Sequence, residues 1–222
     1  MASLRQIEFT PDLTEQVHQR LLDAICEGEL APETRLTQED LALRFDVSRQ
    51  PVLQALRLLK KDGFVIDAGR RGLMVAPLDG ATILHVYEVR AVLDGLAARK
   101  AALAGARLDK SLITQGRKTV AGGKVGAMID ADANFHAQIY RASGNPMLPD
   151  AADHHWRHIR RAMGAVLQSA RMRDGIWSEH EAILDAISDG DAERAERLAR
   201  EHAEAAGRNL AAEYERRLRA AS

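Results

Sequence analysis

The stretch from Thr37 to Ala76 constrains the fold more than any other part of the chain. A threonine followed by Glu39 and Asp40 is typical of a helix start, because its hydroxyl can cap free amides and carboxylates favour the positive end of the helix dipole. Ser48 and Pro51 mark the start of a second helix in the same way. Apolar residues recur at helical spacing in both segments, and the gap between them is short. This pattern predicts a helix-turn-helix.

Two short β-prone runs follow the second helix. Phe64–Ile66 and Leu73–Val75 flank a glycine-containing loop that carries Arg70 and Arg71. This arrangement predicts a β-hairpin wing whose arginines contact the phosphate backbone or the minor groove of DNA. A helix-turn-helix with such a wing predicts a domain that binds double-stranded DNA. The alternative is an ordinary helical hairpin with solvated charges, because a helix-turn-helix pattern by itself is a weak signal.

The outward face of the second helix carries the candidates for DNA contact. Arginine can read guanine with two hydrogen bonds and glutamine can read adenine, so Arg49, Gln50 and Gln54 are predicted to read bases. The flanking hydroxyl and arginine side chains are further candidates: Thr37, Arg44, Ser48 and Arg57. Residues 44–71 contain seven Lys/Arg and three Asp/Glu, although the whole chain has a formal net charge of −1. DNA binding is therefore predicted to depend on a local patch and to weaken with salt.

Composition limits the remaining possibilities. A chain of 222 residues is long enough for two modest domains, and its 46% hydrophobic and 28% charged residues are typical of a soluble globular protein. Cys26 is the single cysteine, which excludes an intramolecular disulfide and suits a reducing compartment. No apolar run reaches the length of a membrane span, and residues 1–10 lack the apolar core of a signal peptide. We therefore expect a cytoplasmic protein with no membrane partner.

Breaker residues divide the chain into two domains. We place a short linker at residues 77–80, which begins with Pro77 and ends with Gly80. Before it, a helix that opens at Thr10-Pro11 and runs to about Glu29 completes a three-helix winged domain over residues 1–76. After it, residues 81–222 show no strand pattern and contain about six helical segments, at 81–103, 109–120, 125–142, 147–170, 178–188 and 192–220. The predicted fold class is mainly α: a winged helix-turn-helix followed by an antiparallel helical bundle, which can hold a ligand in its interior.

Four residues of the second half form a candidate metal-binding set. Asp132 and His136 are four residues apart, so they project from one face of a helix. His180 and His202 lie in two later helices, each beside apolar residues. One carboxylate and three imidazoles suit a divalent metal, zinc first or else nickel, cobalt or manganese, with coordination positions left open. From spacing alone, ordinary surface or structural histidines are the commoner explanation in a chain with eight histidines.

The first half of the chain resembles the N-terminal domain of the GntR family of bacterial transcription regulators. The residues that carry the resemblance are Leu41-Ala42, Val47 to Val52, Ala55-Leu56, Leu58-Leu59, Asp62-Gly63 and Arg71-Gly72. There are two departures. Glu33 stands where the family usually has glycine, and Leu53-Gln54 stands where it usually has Arg-Glu. The second departure implies that the chain recognises a different operator sequence.

The second half resembles the FCD effector domain of the FadR subfamily of these regulators, in its short, six-helix VanR-like branch. The resemblance is carried by Asp132 to His136, Ile139, Ser143 to Pro146, Glu179 to Ile187, Gly190 to Ala192, and His202. It implies that Asp132, His136, His180 and His202 hold a divalent metal. The family pattern has no metal ligands at His154, His155 and His158, so we interpret these as surface or pocket-rim residues.

The resemblance also implies a binding site for a small carboxylate metabolite. Arg90 matches an arginine that the family often has on the first helix of this domain, where it would clamp a carboxylate with two hydrogen bonds. The alternative is a surface arginine paired with Glu88 or Asp94. Asn134 and Asn145 are expected to add hydrogen bonds to the effector.

Together these features predict a homodimeric, ligand-responsive transcription regulator that binds a near-palindromic operator. The family resemblance implies a repressor that the ligand releases, while the residues themselves leave repression and activation both open. We do not expect it to be an enzyme. Three alternatives for the bundle stay open at this point: a regulator that responds to metal alone, a purely structural metal, and a metalloenzyme fused to a DNA-binding domain.

Overall fold

The computed structural model describes residues 12–69, 72–167 and 175–221, and it divides into two compact units between Pro77 and Leu78. The first unit contains α1 (Leu13–Cys26), β1 (Arg35–Leu36), α2 (Gln38–Phe45), α3 (Arg49–Lys61), β2 (Val65–Asp67) and β3 (Leu73–Val75). The second contains α4 (Gly80–Leu103), α5 (Ser111–Gly122), α6 (Val125–Ala142), α7 (Met147–Val166), α8 (Ile176–Ser188) and α9 (Ala192–Ala221). The predicted mainly α fold class, a winged helix-turn-helix followed by a helical bundle, is confirmed.

Local hydrogen bonds set the ends of the two helices of the helix-turn-helix. The Thr37 hydroxyl oxygen accepts a hydrogen bond of 3.2 Å from the amide of Asp40, which begins α2. Asp46 ends α2 in a left-handed conformation with φ of 52°. Ser48 occupies the N-cap position of α3, although its side chain makes no capping hydrogen bond. The buried face of α3 consists of Pro51, Val52, Ala55, Leu56 and Leu59.

The wing is part of a three-stranded antiparallel sheet with the strand order β1-β3-β2. Val65 pairs with Val75 and Asp67 pairs with Leu73, so β2 and β3 form the predicted hairpin. β1 was not predicted, because two residues are too few to show the alternation that identifies a strand. The predicted loop arginines, Arg70 and Arg71, lie outside the described residues.

The first helix differs from its predicted bounds. Asp12 caps α1 by accepting a hydrogen bond of 2.8 Å from the amide of Thr14, whereas the predicted start at Thr10-Pro11 lies outside the described residues. The helix ends at Cys26 and not near Glu29. Gly28 explains the earlier end, since its φ of 83° cannot continue a right-handed helix.

In the second unit, α4 and α9 pack closely because small residues line their contact. Gly207 of α9 lies against Tyr87 of α4, and a Cβ atom added to this glycine would be 2.5 Å from the Tyr87 Cβ. Both helices are also rich in buried alanine: Ala91, Ala98, Ala102, Ala199 and Ala203. This packing accounts for the alanine-rich sequence of α4, since larger side chains would separate the two helices.

Leu78 corrects the predicted linker at residues 77–80. It is buried in the core of the second unit, and α4 already begins at Gly80. The leucine is therefore part of the helical domain rather than of a free connection.

None of the described helices has both the length and the apolar character needed to cross a lipid bilayer.

The substitution Gly207→Ala is expected to lower the free energy of unfolding by about 1–3 kcal/mol, because the new methyl group would overlap Tyr87 in a packed core. Gly126→Ala is the matched control, since a Cβ atom there meets nothing within 4 Å. The control should keep its stability or gain up to about 1 kcal/mol from better helix propensity. Urea unfolding of both variants tests this; equal stabilities would contradict the close α4–α9 contact.

Candidate functional site

Three helices of the bundle bring one carboxylate and three imidazoles together. Asp132 and His136 lie one turn apart on α6, His180 lies on α8, and His202 lies on α9. Each residue offers one ligand atom, and these atoms all lie within 4.8 Å of one another. All four residues are buried. We refer to them as the Asp/His cluster.

The Asp/His cluster has too few hydrogen-bond donors for its acceptor atoms. The Nε2 atom of His180 lies 3.2 Å from Nε2 of His202 and 3.3 Å from Oδ1 of Asp132. Within the described residues, Asp132 Oδ2 and His180 Nδ1 are buried without a hydrogen-bond partner. A buried polar atom without a partner is costly. The donor set of one carboxylate and three imidazoles therefore fits a divalent metal ion, which would accept lone pairs from the carboxylate and from the ring nitrogens that face the cluster.

Two further carboxylates orient the histidine rings of the cluster. Asp94 Oδ2 lies 3.2 Å from Nδ1 of His136, and Glu179 Oε2 lies 2.7 Å from Nδ1 of His202. A carboxylate at Nδ1 favours the proton on that nitrogen, so the lone pair of each ring is on Nε2, which faces the cluster. This role was not predicted for either carboxylate. In the sequence, the role could be indicated only by the Arg90–Asp94 spacing and by a glutamate next to His180. Both patterns are also common on helix surfaces.

Arg90 is buried beside the cluster, with 1% of its surface exposed. Its Nε donates to Asp94 Oδ2 at 3.1 Å, and its Nη2 lies 2.6 Å from Nε2 of His136 and 3.5 Å from Asp132 Oδ2. The alternative prediction was a surface arginine paired with Glu88 or Asp94. The pairing with Asp94 is present, but Arg90 is buried and not on the surface. Its guanidinium is held between two buried carboxylates.

Burial and charge act in opposite directions on these groups. Burial disfavours the charged form of Arg90, but Asp94 and Asp132 outweigh it and raise its pKa above the ordinary value. Burial alone would raise the pKa of Asp94, but His136 and Arg90 hold it below its usual range. Burial lowers the pKa of His136, and it lowers the pKa of His180 much further. The two imidazoles are therefore favoured in the neutral form, which is the form that binds metals.

A cavity of about 430 Å³ adjoins the cluster. Arg90, Asp132 and His202 form part of its wall, so a bound molecule can reach both the cluster and the guanidinium. Apolar side chains from α7, α8 and α9 form much of the remaining wall: Met163, Leu167, Ile176, Ala205, Ala206 and Leu210. This volume lies within the usual range for small-molecule sites.

Several residues proposed from the sequence lie elsewhere. Asn134 is exposed, and its Oδ1 lies 3.4 Å from Gln138 Nε2, while the Oδ1 of Asn145 accepts a bond from the Met147 amide at the start of α7. Neither lines the cavity beside the cluster, and their expected role in effector binding stays a prediction. The ring of His155 bonds the backbone carbonyl of Val86. The side chain of His154 lies outside the described part of the chain, and His158 is half-buried.

The face of the first unit that carries α3 presents most of the predicted DNA contacts. Arg49, Gln50 and Arg57 are exposed on α3, whereas Gln54 is half-buried. The Thr37 hydroxyl already caps α2, and Ser48 is exposed at the start of α3.

Acidic residues of the first unit pair with several of its cations. Arg49 forms an ion pair of 2.9 Å with Glu39 of α2, and Arg44 forms one of 3.1 Å with Asp40. Both pairs are exposed to solvent and therefore contribute little to stability. Such pairs leave the arginines able to exchange partners.

Two family profiles match the chain. Residues 85–205 match the FCD domain, and residues 13–75 match the bacterial regulatory proteins of the gntR family. Among curated relatives, an HTH-type transcriptional regulator from an unstable DNA locus of Streptomyces ambofaciens is 27% identical over 191 residues, which cover 84% of this chain and 80% of the relative. The HTH-type transcriptional repressor RspR of Escherichia coli K12 is 23% identical over 202 residues, which cover 89% and 88%.

Solved structures share the fold. A GntR transcriptional regulator from Rhodococcus sp. RHA1 superposes with a TM-score of 0.75 at 24% identity, covering 90% of this chain and 98% of that chain. Escherichia coli McbR/YncC superposes with a TM-score of 0.73 at 22% identity, covering 93% and 99%. At these identities the similarity concerns the architecture and not the ligand.

The substitution Asp94→Asn is expected to lower the free energy of unfolding by about 3 kcal/mol, because it removes the main counter-charge of a buried arginine. Asp153→Asn is the matched control. Asp153 is also four residues from its arginine partner, Arg157, in a helix, but its side chain is 74% exposed. The control should change stability by less than about 0.5 kcal/mol. Urea unfolding distinguishes the two, and equal losses would argue against a structural role for the buried pair.

Proposed function

The chain belongs to the GntR family of bacterial DNA-binding transcription regulators, with an FCD domain as its second unit, and from this premise we propose that it is a homodimeric repressor that senses a small organic acid at a metal ion. The family and the relatives are transcription regulators and not enzymes, so a metalloenzyme is not the function. The observation that carries the proposal is the buried Asp/His cluster, which shares the wall of a cavity with Arg90.

The four residues of the Asp/His cluster would hold the metal through the Nε2 atoms of the histidines and a carboxylate oxygen of Asp132. When bound, a divalent ion such as zinc would supply a Lewis acid that accepts a carboxylate oxygen from the effector. Asp94 and Glu179 keep the Nδ1 atoms of His136 and His202 occupied, which presents the other ring nitrogen of each to the interior.

Arg90 would bind the effector carboxylate directly. Its charge is permanent, and it is one of the cations in the cavity wall. In this structure its Nη2 atom occupies the His136 Nε2 lone pair, which the same nitrogen would need to bind a metal. One lone pair cannot serve both partners, so metal binding would free a guanidinium donor for the acid. A two-point bond between guanidinium and carboxylate gives this contact its geometric selectivity.

Dimerisation would use an exposed apolar stripe on α4. Val89, Val92, Leu96 and Leu103 are between 41% and 67% exposed, and they recur at spacings of three, four and seven residues. Such spacing aligns one helix with a second helix in a coiled-coil-like contact. A second copy of the chain is the proposed occupant, because a two-fold dimer also matches a palindromic operator.

The acid would act by changing the population of dimer arrangements that can bind the operator. A ligand shifts such an equilibrium only as far as its affinity differs between the two states. The cavity wall includes residues of α4 and α9, so the acid would act on the same close helix contact. Release of DNA by the acid corresponds to a repressor.

Arg49→Ala is expected to weaken specific DNA binding by about fivefold to about 150-fold, because one bidentate arginine–guanine contact is worth about 1–3 kcal/mol. The measurement is fluorescence anisotropy with a DNA site selected by the unmodified protein from a random-sequence library. The matched control is Arg20→Ala, an exposed arginine on α1 of the same unit. Both variants should keep the dimer mass. Unchanged affinity of Arg49→Ala would remove this residue from the base-reading set.

His180→Ala is expected to reduce bound zinc from about one ion per chain to a small fraction and to abolish the response to acids, because the fully buried His180 is central to the cluster. His158→Ala, a half-buried histidine on α7, is the matched control and should keep its zinc. Elemental analysis after dialysis gives the stoichiometry. Full zinc retention by His180→Ala would refute the site. A change of operator affinity with zinc alone, and none with acids, would favour a metal-responsive regulator.

A further inference from the structure

We propose that the cavity beside the Asp/His cluster selects a monocarboxylic acid with an apolar body, and that the Tyr87 hydroxyl is a donor that completes the site for its head group. This inference rests on the proposed function, because it takes the carboxylate to lie at Arg90 and the cluster. It adds the chemical class of the effector and a residue to which neither the sequence analysis nor the family resemblance assigns a role.

The Tyr87 hydroxyl is the first observation. Tyr87 is 2% exposed and lines the cavity, yet its hydroxyl makes no hydrogen bond within the described residues. The residue lies one turn before Arg90 on α4, and the Arg90 Cζ atom is 5.2 Å from the centre of its ring. A buried hydroxyl without a partner is a cost that a ligand oxygen can remove. The hydroxyl and the guanidinium therefore offer neighbouring donors to one oxygen-rich head group.

The charges of the cavity wall are the second observation. Arg216 is the other cation among the lining residues, and Glu213 already binds it with two hydrogen bonds of 2.8 and 2.6 Å. Glu213 also accepts a bond of 3.1 Å from Arg217. A second carboxylate on the ligand would therefore lie near Glu179 and would have to compete with Glu213 for Arg216, so it would gain less than the first carboxylate gains at Arg90. This arrangement disfavours dicarboxylic and tricarboxylic acids.

The apolar part of the wall is the third observation. Met163, Leu167, Ile176 and Leu210 supply large apolar side chains, and Ala205 and Ala206 leave room between them. Burying a methylene group in such surroundings is worth about 0.8 kcal/mol, which corresponds to about fourfold in affinity. A volume of about 430 Å³ leaves room for an apolar body beside the carboxylate.

The test compares two series of acids on the zinc-loaded, full-length dimer by isothermal titration calorimetry. The first series is acetate, butanoate and hexanoate; the second is butanedioate and hexanedioate, which match the longer members in carbon number. We expect affinity to rise about fourfold for each added methylene in the first series. Each dicarboxylate should bind at least tenfold more weakly than its partner. Tighter binding of the dicarboxylates, or no dependence on chain length, would overturn the ligand class.

Variants separate the head group from the body. Tyr87→Phe removes only the hydroxyl, so it should weaken every monocarboxylate at least fivefold while the acid-free protein keeps or raises its melting temperature. Met163→Ala should weaken hexanoate at least fivefold and leave acetate unchanged. Met147→Ala is its matched control, an exposed methionine on the same helix, and should change neither. Unchanged affinities in Tyr87→Phe would remove the hydroxyl from the site.

The two levels of inference fail in different ways. If dicarboxylates bind tightly and release DNA, acid sensing stands and only the monocarboxylate proposal fails. If neither series binds the zinc-loaded dimer, while zinc itself changes operator affinity, both the monocarboxylate proposal and acid sensing are overturned in favour of a response to metal.

Discussion

The helical domain depends on a charge that is buried completely. Arg90 can stay ionised inside the bundle only because Asp94 and Asp132 face it, and Asp94 is itself held by His136 and the Tyr140 hydroxyl. Trp156 donates a bond of 3.3 Å to that hydroxyl and places its ring 4.7 Å from the guanidinium carbon. The pair thus connects α4, α6 and α7. Its geometry sets the orientation of the His136 ring. It also fixes the position of Arg90 in the cavity wall, next to the Asp/His cluster.

The parts of the fold that sequence could predict are those with a local physical cause. Thr37 and Ser48 stand at helix starts because short hydroxyl side chains suit the N-cap position, and both helices begin where the sequence indicates. β1 was not predicted, because its pairing with β3 is a contact between distant parts of the chain and has no local sequence signal. The end of α1 at Cys26 was missed because Gly28 was not recognised as the residue that ends the helix.

In the candidate site too, only the features with a local cause could be predicted from the sequence. The spacing of Asp132 and His136 predicts that they share a helix face, but only the packing of three helices brings His180 and His202 to them. Helical geometry also explains why Asn134 does not line the cavity. This residue is two positions after Asp132, so it points roughly 200° away around the helix and reaches solvent. Glu179 and Asp94 could not be singled out, because a carboxylate beside a histidine or an arginine has the same pattern on a surface and in a core.

The ion pair between Arg49 and Glu39 has a consequence for how the protein searches a chromosome. If Arg49 contacts DNA as proposed, a carboxylate that stays with it on DNA of arbitrary sequence would cancel one positive charge of the contact face, so fewer counterions would be released and such complexes would be short-lived. Where a guanine accepted both hydrogen bonds of the proposed contact, the arginine would exchange partners and its charge would become available. Glu39 would then contribute to specificity without contacting a base. Its main effect would be on the ratio of occupied operator sites to occupied non-specific sites, rather than on the affinity for the operator.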